Sequence, residues 1–543
     1  MLKLRITSFI LCFPIVTIFF ACNGPAPSVQ KGKESTAKLI RDTSITPENA
    51  FINLFLDSTE INKFLANSKL SNDDSAAIFD FYKDRNYQFA WFDTSGITEH
   101  ASAFVSLYRN YRNVTHDTSL TSKKLDATID ELVEDSSYLD MHKDLIVPTE
   151  LRLTRQFFIY AQKAYAGNSS IDPKSLGWFI PRKKVNVTAF LDSVVKSGKG
   201  DISAFEPVHP MFTPLHDYLL KYSEISKQGG WPTIPLPAKS YKQGDSATAI
   251  GLMKKHLQLL EDLPASDSGN RFTAATKQGV INFQHRHGMV EDGVVGKAMI
   301  NELNIPVTDR IKQLAVNIER IKWVAKPGKG RYIVVNIPAF TLYAFDSGKL
   351  QFKMNVVVGK AANSTVIFSD ELETIAFSPY WNVPYSIVKN EMSHRSPGYF
   401  SNQNMEIVGH YKDGLPMVRQ KPGPKNALGR VKFLFPNSYS IYFHDTPAKG
   451  LFNANKRAFS HGCIRLAEPE KMAQWLLQDE PQWTADSIKQ MMNLTTEKQV
   501  KLDKKVPVFI GYFTAWVDKD GKLNFRDDLY AHDKEMLARF FDK

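Results

Sequence analysis

Cysteine is nearly missing from this chain: there are three in 543 residues, at positions 12, 22 and 463. They are too few and too scattered to staple a fold with disulfides. Dense runs of one charge are missing too. Lys and Arg outnumber Asp and Glu by 68 to 57, a net charge of +11, but they are spread along the sequence. Such a balance suits a merely basic soluble surface as well as an anionic membrane surface, a polyanionic polymer or nucleic acid. No uninterrupted membrane span is present, because the apolar run near the N-terminus is short and is broken by Pro14. What is there in quantity is core-forming material: 43% hydrophobic and 12% aromatic residues. That composition excludes a disordered chain, and the length predicts roughly three folded units.

The N-terminus "MLKLRITSFILCFPIVTIFFACNG" places basic Lys3 and Arg5 before an apolar stretch and small Ala21 before Cys22, the pattern of a secretory signal. "FFAC" resembles a bacterial lipobox, departing from it at Phe19. The resemblance implies that residues 1–21 are a lipoprotein signal peptide and that lipidated Cys22 becomes the new N-terminus. The expected location is the periplasm, with the lipid anchor in the outer membrane given Asn23 at the next position. Cys12 then leaves with the signal and Cys22 is acylated, so Cys463 is the one free thiol. An odd cysteine in an oxidising compartment asks for a chemical explanation.

Residues 22–48 are polar and rich in Pro, Ser and Lys, a flexible tether. From 49 to 235 the periodicity is helical, with Ile78, Phe81, Tyr82 and Tyr87 spaced along one face. Breakers in "GGWPTIP" end this α-helical scaffold domain. Residues 240–305 then read as three short helices in a small module, and 306–330 as a connecting helix. In that module "GD", "FQ", "HG", "EDGVVG" and "LN" resemble the three-helix peptidoglycan-binding domain. His285 and His287 have no second ligand pair nearby, so they read as a helix-end surface and no metal is expected.

Beyond Arg331 the pattern turns to strands. "GRVKFLFPNSYSIYFHD" reads as a hairpin through Pro436 and Asn437, while residues 391–427, rich in Gly, Pro, Asn and Lys, read as a loop-rich insertion. The β-rich mixed α/β domain is assigned to 331–506, and C-terminal strands and a helix to 507–543. The fold class is therefore multi-domain.

A cysteine nucleophile needs a base, an orienting acceptor for that base and donors for an oxyanion. Alternation in "YSIYFHDTP" predicts a strand with Ser440, Tyr442 and His444 on one face. His444 precedes Cys463 by nineteen positions, enough to leave a strand and return beside it. Imidazole near the thiol is expected to lower its pKa. Gly462 permits backbone geometry closed to other residues, and the amides of Gly462 and Cys463 are candidate oxyanion donors.

"HDTP" followed by "SHGCIR" resembles the signature of the L,D-transpeptidase (YkuD-type) family, and "NIERIKW" and "SPYWNVP" extend the resemblance to its large multi-domain murein members. It implies a peptidoglycan L,D-transpeptidase: Cys463 attacks the bond between a diamino acid and terminal D-Ala in a donor tetrapeptide stem. His444 is base and then acid, the Asp445 backbone carbonyl orients it, and Ser460 and His461 shape the oxyanion site. No cofactor is implied. Carbapenem acylation of Cys463 is. Arg465 stands where many relatives carry Asn, and either binds a stem carboxylate or forms a structural salt bridge. Tyr442, Trp381 and Asn382 are candidates for the substrate wall, with Trp381 equally at home in a core. Residues 391–427 fall where the large members carry a lid. Expected partners are stem peptides, a membrane through the anchor, and other wall-synthesis enzymes, with no nucleic acid. A carboxypeptidase or hydrolase on the same stems, and a non-catalytic wall-binding scaffold, stay open.

Overall fold

The computed structural model describes residues 54–541 except 116–117 and 136–137. The signal, the tether and Cys22 lie outside the described residues. No helix among the described residues is long and apolar enough to cross a membrane.

The first part is helical: α1 (Ser58–Ala66), α2 (Asn72–Asp84), α3 (Glu99–Thr115), α4 (Lys123–Glu134), α5 (Ile146–Ala161), α6 (Val187–Ser197) and α7 (Phe212–Lys227). Asp57 and Ser71 accept first-turn amides and start α1 and α2. α5 is the centre. Leu151, Leu153, Phe157, Phe158 and Tyr160 bury on several of its sides, against Ile78, Phe81 and Phe104 of neighbouring helices. Ile78, Phe81 and Tyr82 share the buried face of α2, but Tyr87 lies past the helix end, in a turn at φ +64°.

Helices α8 (Thr248–Leu259), α9 (Ala274–Arg286) and α10 (Lys297–Leu303) enclose a separate core of Ile250, Met253, Leu257, Val280, Phe283 and Ile300. The two histidines at the end of α9 part company. His285 is exposed and pairs with Glu291, whereas His287 is buried and stacks on Phe283 with ring centres 3.8 Å apart. Position 287 is thus core rather than surface, because its turn packs against Phe525.

The third part is a barrel. Its strands are β1 (Tyr332–Asn336), β2 (Thr341–Asp346), β3 (Lys349–Gly359), β4 (Phe368–Phe377), β5 (Trp381–Asn382), β6 (Met405–His410), β7 (Pro416–Gln420), β8 (Val431–Leu434), β9 (Phe443–His444), β10 (Ala458–Ser460), β11 (Ile464–Leu466) and β12 (Lys498–Gly511). In the order β3-β11-β9-β8-β4-β12-β1-β2 they form a sheet that closes through β2 and β3, and β10 adds to β3. Closure removes free edges and buries Val335, Leu342, Val356, Ile375, Phe433, Phe443, Ile464 and Ile510 together. β12 crosses the boundary expected at residue 506. It is one continuous strand between β4 and β1, so residues 507–511 belong to the barrel.

Residues 391–427 also depart from expectation. They are not mainly loop: helix α12 (Pro397–Asn402) and strands β6 and β7 join β5 in a three-stranded sheet. Val383, Val388, Met392, Phe400 and Val418 give this insertion a small core of its own, enough to fix a sheet despite the turn-rich composition.

The parts are joined by α11 (Val307–Trp323), which buries Arg310, Asn317, Glu319, Arg320 and Lys322. Each finds a partner. Arg310 pairs with Glu302 of α10, Glu319 accepts the Asn168 amide, and Arg320 pairs with Asp533. Asn317 bonds Thr514 in both directions, Nδ2 to Oγ1 at 2.7 Å and Thr514 N to Oδ1 at 2.9 Å. A buried amide left unmade costs about 1–3 kcal/mol. Asn317→Leu should therefore lower stability by about 2–4 kcal/mol, read as a shift in the urea midpoint of barrel unfolding, while exposed Lys312→Ala stays within about 0.5 kcal/mol.

Candidate active site

Cys463 sits in the three-residue connection between β10 and β11. Parallel pairing of β9 with β11 sets Phe443 against Ile464 and His444 against Arg465. Side chains alternate across a sheet, so Phe443 and Ile464 enter the core while His444 and Arg465 stand on the other face. Cys463 and Tyr442, one residue earlier on each side, flank this pair. The Tyr442 and His444 rings lie 5.7 Å apart. The strand is shorter than its alternation predicts. Only residues 443 and 444 are β, because Asn437 Oδ1 accepts the amides of Tyr439 and Ile441 and holds a turn in which Ser440 takes φ +56°.

His444 is buried, and its Nδ1 lies 2.5 Å from the Asp445 carbonyl oxygen. Nδ1–H donates to that carbonyl, which leaves Nε2 as the basic nitrogen. The Asp445 side chain has other work: its carboxylate accepts the Thr446 amide, the Arg430 amide and Lys449 Nζ. Gly429, at φ +64°, lies so close that a Cβ there would collide with this carboxylate. Burial first and the Arg465 charge second push the His444 pKa down to about 4.

The thiol is half-buried. Cys463 Sγ lies 3.6 Å from the Ser440 carbonyl oxygen, and no hydrogen bond joins it to His444. Burial raises its pKa, against the lowering effects of the Tyr442 amide, the Tyr442 phenol and Arg465. Burial thus favours the neutral form of both groups, diagonal neighbours on one sheet face, and works against the expected acidification of the thiol by imidazole.

Gly462 takes φ +119°, a region glycine favours. Its amide donates to Ser460 Oγ at 3.2 Å, and Ser460 Oγ donates to the Cys463 carbonyl at 2.6 Å. Ser460 is therefore a brace of the Cys463 loop, and of the two expected oxyanion donors the Cys463 amide is the one without a partner among the described residues. His461 Nε2 reaches Glu391 Oε1 of the insertion at 2.9 Å. Trp381 and Asn382 stay in β5, where they pair with Gln420 and Arg419 of β7 rather than joining the cysteine cluster. Arg465 forms no ion pair among the described residues, and its buried Nε has no partner.

Three supports were invisible in the sequence. Thr365 Oγ1 donates to the Gly462 carbonyl at 2.8 Å and accepts the Gly359 amide, and the Tyr530 hydroxyl donates to the Gly359 carbonyl. Ser440 supplies a carbonyl to the thiol. Backbone acceptors have no residue-type signature, and Thr365 and Tyr530 lie about 100 and 70 positions away in the chain. No group of three or more metal-ligating side chains occurs among the described residues.

Residues 330–508 match the family described as the L,D-transpeptidase catalytic domain, YkuD. The chain carries an L,D-transpeptidase catalytic domain. Residues 76–219 match the scaffold domain family, and 246–303 a provisionally named peptidoglycan binding domain. A Haemophilus influenzae protein provisionally named an L,D-transpeptidase is 31% identical over 245 residues, 41% of this chain and 49% of that protein. The chain thus spans about half the length of this curated relative. Among solved structures, an L,D-transpeptidase from Mycobacterium smegmatis is 16% identical with a TM-score of 0.20, over 34% of this chain and 60% of the other. One from Stackebrandtia nassauensis is 15% identical with a TM-score of 0.22, over 51% and 98%.

The transpeptidase domain's histidine makes a pH prediction. Only neutral imidazole can accept the thiol proton, so the acid limb of kcat/KM for Cys463 acylation should fall near pH 4, following the His444 pKa of about 4. A limb near 6.5, the value of a solvated histidine, would contradict the buried geometry.

Proposed function

We propose that the protein is a peptidoglycan L,D-transpeptidase working through a cysteine acyl-enzyme. The observation that supports this most directly is the half-buried Cys463 thiol beside Tyr442 and Arg465, diagonal to a buried histidine whose Nδ1 is tied to the Asp445 carbonyl. Substrate entering between them brings thiol and imidazole into one hydrogen-bonded unit. His444 Nε2 takes the thiol proton as Sγ attacks the carbonyl of the diamino acid–D-Ala amide. The oxyanion gathers at the Cys463 amide. His444 then passes the proton to the leaving amine, D-Ala departs, and a thioester remains. The side-chain amine of a neighbouring stem attacks the thioester, giving up its proton to His444, and the new amide joins third residue to third residue as the thiol is restored. Each amide lost is replaced by an amide, so no ATP is required.

The insertion acts as a lid. Its Glu391 grips His461 next to the nucleophile, which places the segment where it can hold water away from the thioester. Arg465 takes a stem carboxylate, since a cation with no protein counter-charge beside the reacting groups suits an anionic substrate group. Of the two readings of Arg465, the absence of an ion pair favours this one. The chain is lipidated at Cys22 and held in the periplasm at the outer membrane; intact mass of the N-terminal peptide should show diacylglycerol on Cys22, and an unmodified cysteine would reject the anchor.

Purified protein given disaccharide-tetrapeptide muropeptides should yield cross-linked dimers by mass spectrometry. Tripeptide monomers alone would identify a carboxypeptidase instead. A carbapenem should add its mass to the wild type and not to Cys463→Ala, which should also lose turnover by on the order of 10⁴-fold or more; an unchanged cellular phenotype in that variant would favour a non-catalytic scaffold. Arg465→Gln should lower kcat/KM by about 10- to 100-fold, the worth of about 1.5–3 kcal/mol for a charged hydrogen bond. Amidating the stem carboxylates should make wild type and variant equal.

A further inference from the structure

A large cavity lies away from Cys463. It has a volume of about 1260 Å³ and lies between the helical domain and α11, with walls from α5, α7 and the segment 182–185. No residue of the cysteine site or of the three-helix module lines it. Small-molecule pockets run to about 300–1,000 Å³, so the space suits a segment of polymer.

Its lining is cationic and aromatic. Lys69, Lys163, Arg182, Lys183, Lys184 and Lys322 face it, against the carboxylates of Asp74, Glu206 and Glu319. Those carboxylates are engaged elsewhere. Asp74 accepts from Ser71 and Gln162, Glu206 from the Tyr165 hydroxyl, and Glu319 from the Asn168 amide and the Trp323 indole. Arg182 is spent on the Ala166, Asn168 and Ile171 carbonyls.

Lys183 and Lys322 are different. Among the described residues the Lys183 ammonium bonds the Pro207 carbonyl alone, at 2.6 Å, and Lys322, with its side chain 11% exposed, has only long contacts, to the Lys163 carbonyl at 3.4 Å and to Glu319 at 3.7 Å. The two ammonium groups also oppose each other. Burial first and the Lys322 charge second bring the Lys183 pKa down to about 8. Lys183 and Lys322 likewise hold down His209 and His216, after burial. Cations that repel one another at the back of an open cavity are stabilised by an anion placed between them. Around them the half-buried Tyr111 and Phe212 offer rings for a sugar face or a peptide.

We propose that this cavity is a non-catalytic peptidoglycan site that seats a stem-peptide carboxylate between Lys183 and Lys322 and the adjoining polymer against the aromatic wall. The inference rests on the peptidoglycan reading of the protein. A bilayer headgroup would call for cations on an exposed face, whereas Lys322 lies at the cavity's back. The site would hold a strand to the scaffold while the barrel works on a stem.

The test uses the full chain with Cys463→Ala, which prevents turnover, and disaccharide-tetrapeptide muropeptide with carbodiimide-activated carboxylates. Amide cross-links should form at Lys183 and Lys322 at least about fivefold more than at exposed Lys312. Excess unactivated muropeptide should suppress them; inorganic phosphate and anionic phospholipid vesicles should not. Lys183→Gln should weaken muropeptide binding severalfold while leaving carbapenem acylation of wild-type Cys463 unchanged. If Lys183→Gln unfolds, Lys69→Gln with Lys184→Gln at the exposed mouth should still lower cross-linking at Lys322. Cross-links spread evenly over lysines, or suppressed equally by phosphate or by vesicles, would overturn the proposal. Carbapenem acylation without cross-links at these lysines would sink this site and leave the catalytic reading standing; the reverse pattern would do the opposite.

Discussion

The rest of the structure depends on the burial of a polar helix. α11 carries arginine, lysine, glutamate and asparagine into the middle of the molecule, where an unpaired charge or amide is expensive. Each must therefore be met by a group from another part of the chain. Glu302 comes from the three-helix module, Asn168 from the scaffold, and Thr514 and Asp533 from beyond the barrel. An apolar helix would tolerate many packings, whereas this one accepts only the arrangement in which all these groups meet it. The angles between the parts are thereby set by hydrogen-bond geometry.

The same logic operates at the thiol on a smaller scale. Ser460 and Thr365 consume the polar groups of the Cys463 loop, Tyr530 secures the neighbouring Gly359 carbonyl, and Asn437 consumes the polar groups of the turn that carries Ser440. Little in the loop is free to move, and what is left unspent is the chemistry: Nε2 of His444, the Cys463 amide and the guanidinium of Arg465. Holding both thiol and imidazole neutral protects a lone cysteine at rest, because the thiolate is the form that oxidants and electrophiles attack. Reactivity then depends on substrate arriving to shut out water and bridge the pair.

Much of this was legible in the chain, for identifiable reasons. Helical periodicity located the scaffold because the buried residues of α2 and α5 recur at helical spacing, although Tyr87 was drawn in by spacing that continues beyond the helix end. Cys463 and His444 stood out because thiol and imidazole are rare here and sit in a specific motif. The sheet in the insertion is not legible because the three core residues of 391–427, Met392, Phe400 and Val418, occur singly among Gly, Pro and Asn, with too little periodicity to betray it. Ser460 reads as shaping the oxyanion site because a hydroxyl beside Cys463 does not reveal which way it points. Glu391, Thr365 and Tyr530 reach the site only through tertiary folding, from the insertion, from the stretch after β3 and from the chain beyond β12.

Barrel closure has a temporal side. β12, residues 498–511, fills the gap between β4 and β1, so the first and fourth strands of the domain wait for a segment more than 120 residues further along. Contacts that distant form late. A chain halted before β12 has an open sheet, with β4 and β1 left as its two edges. Until β12 inserts, those two edges can pair with another chain, so the last strand of the barrel also guards the domain against misassembly.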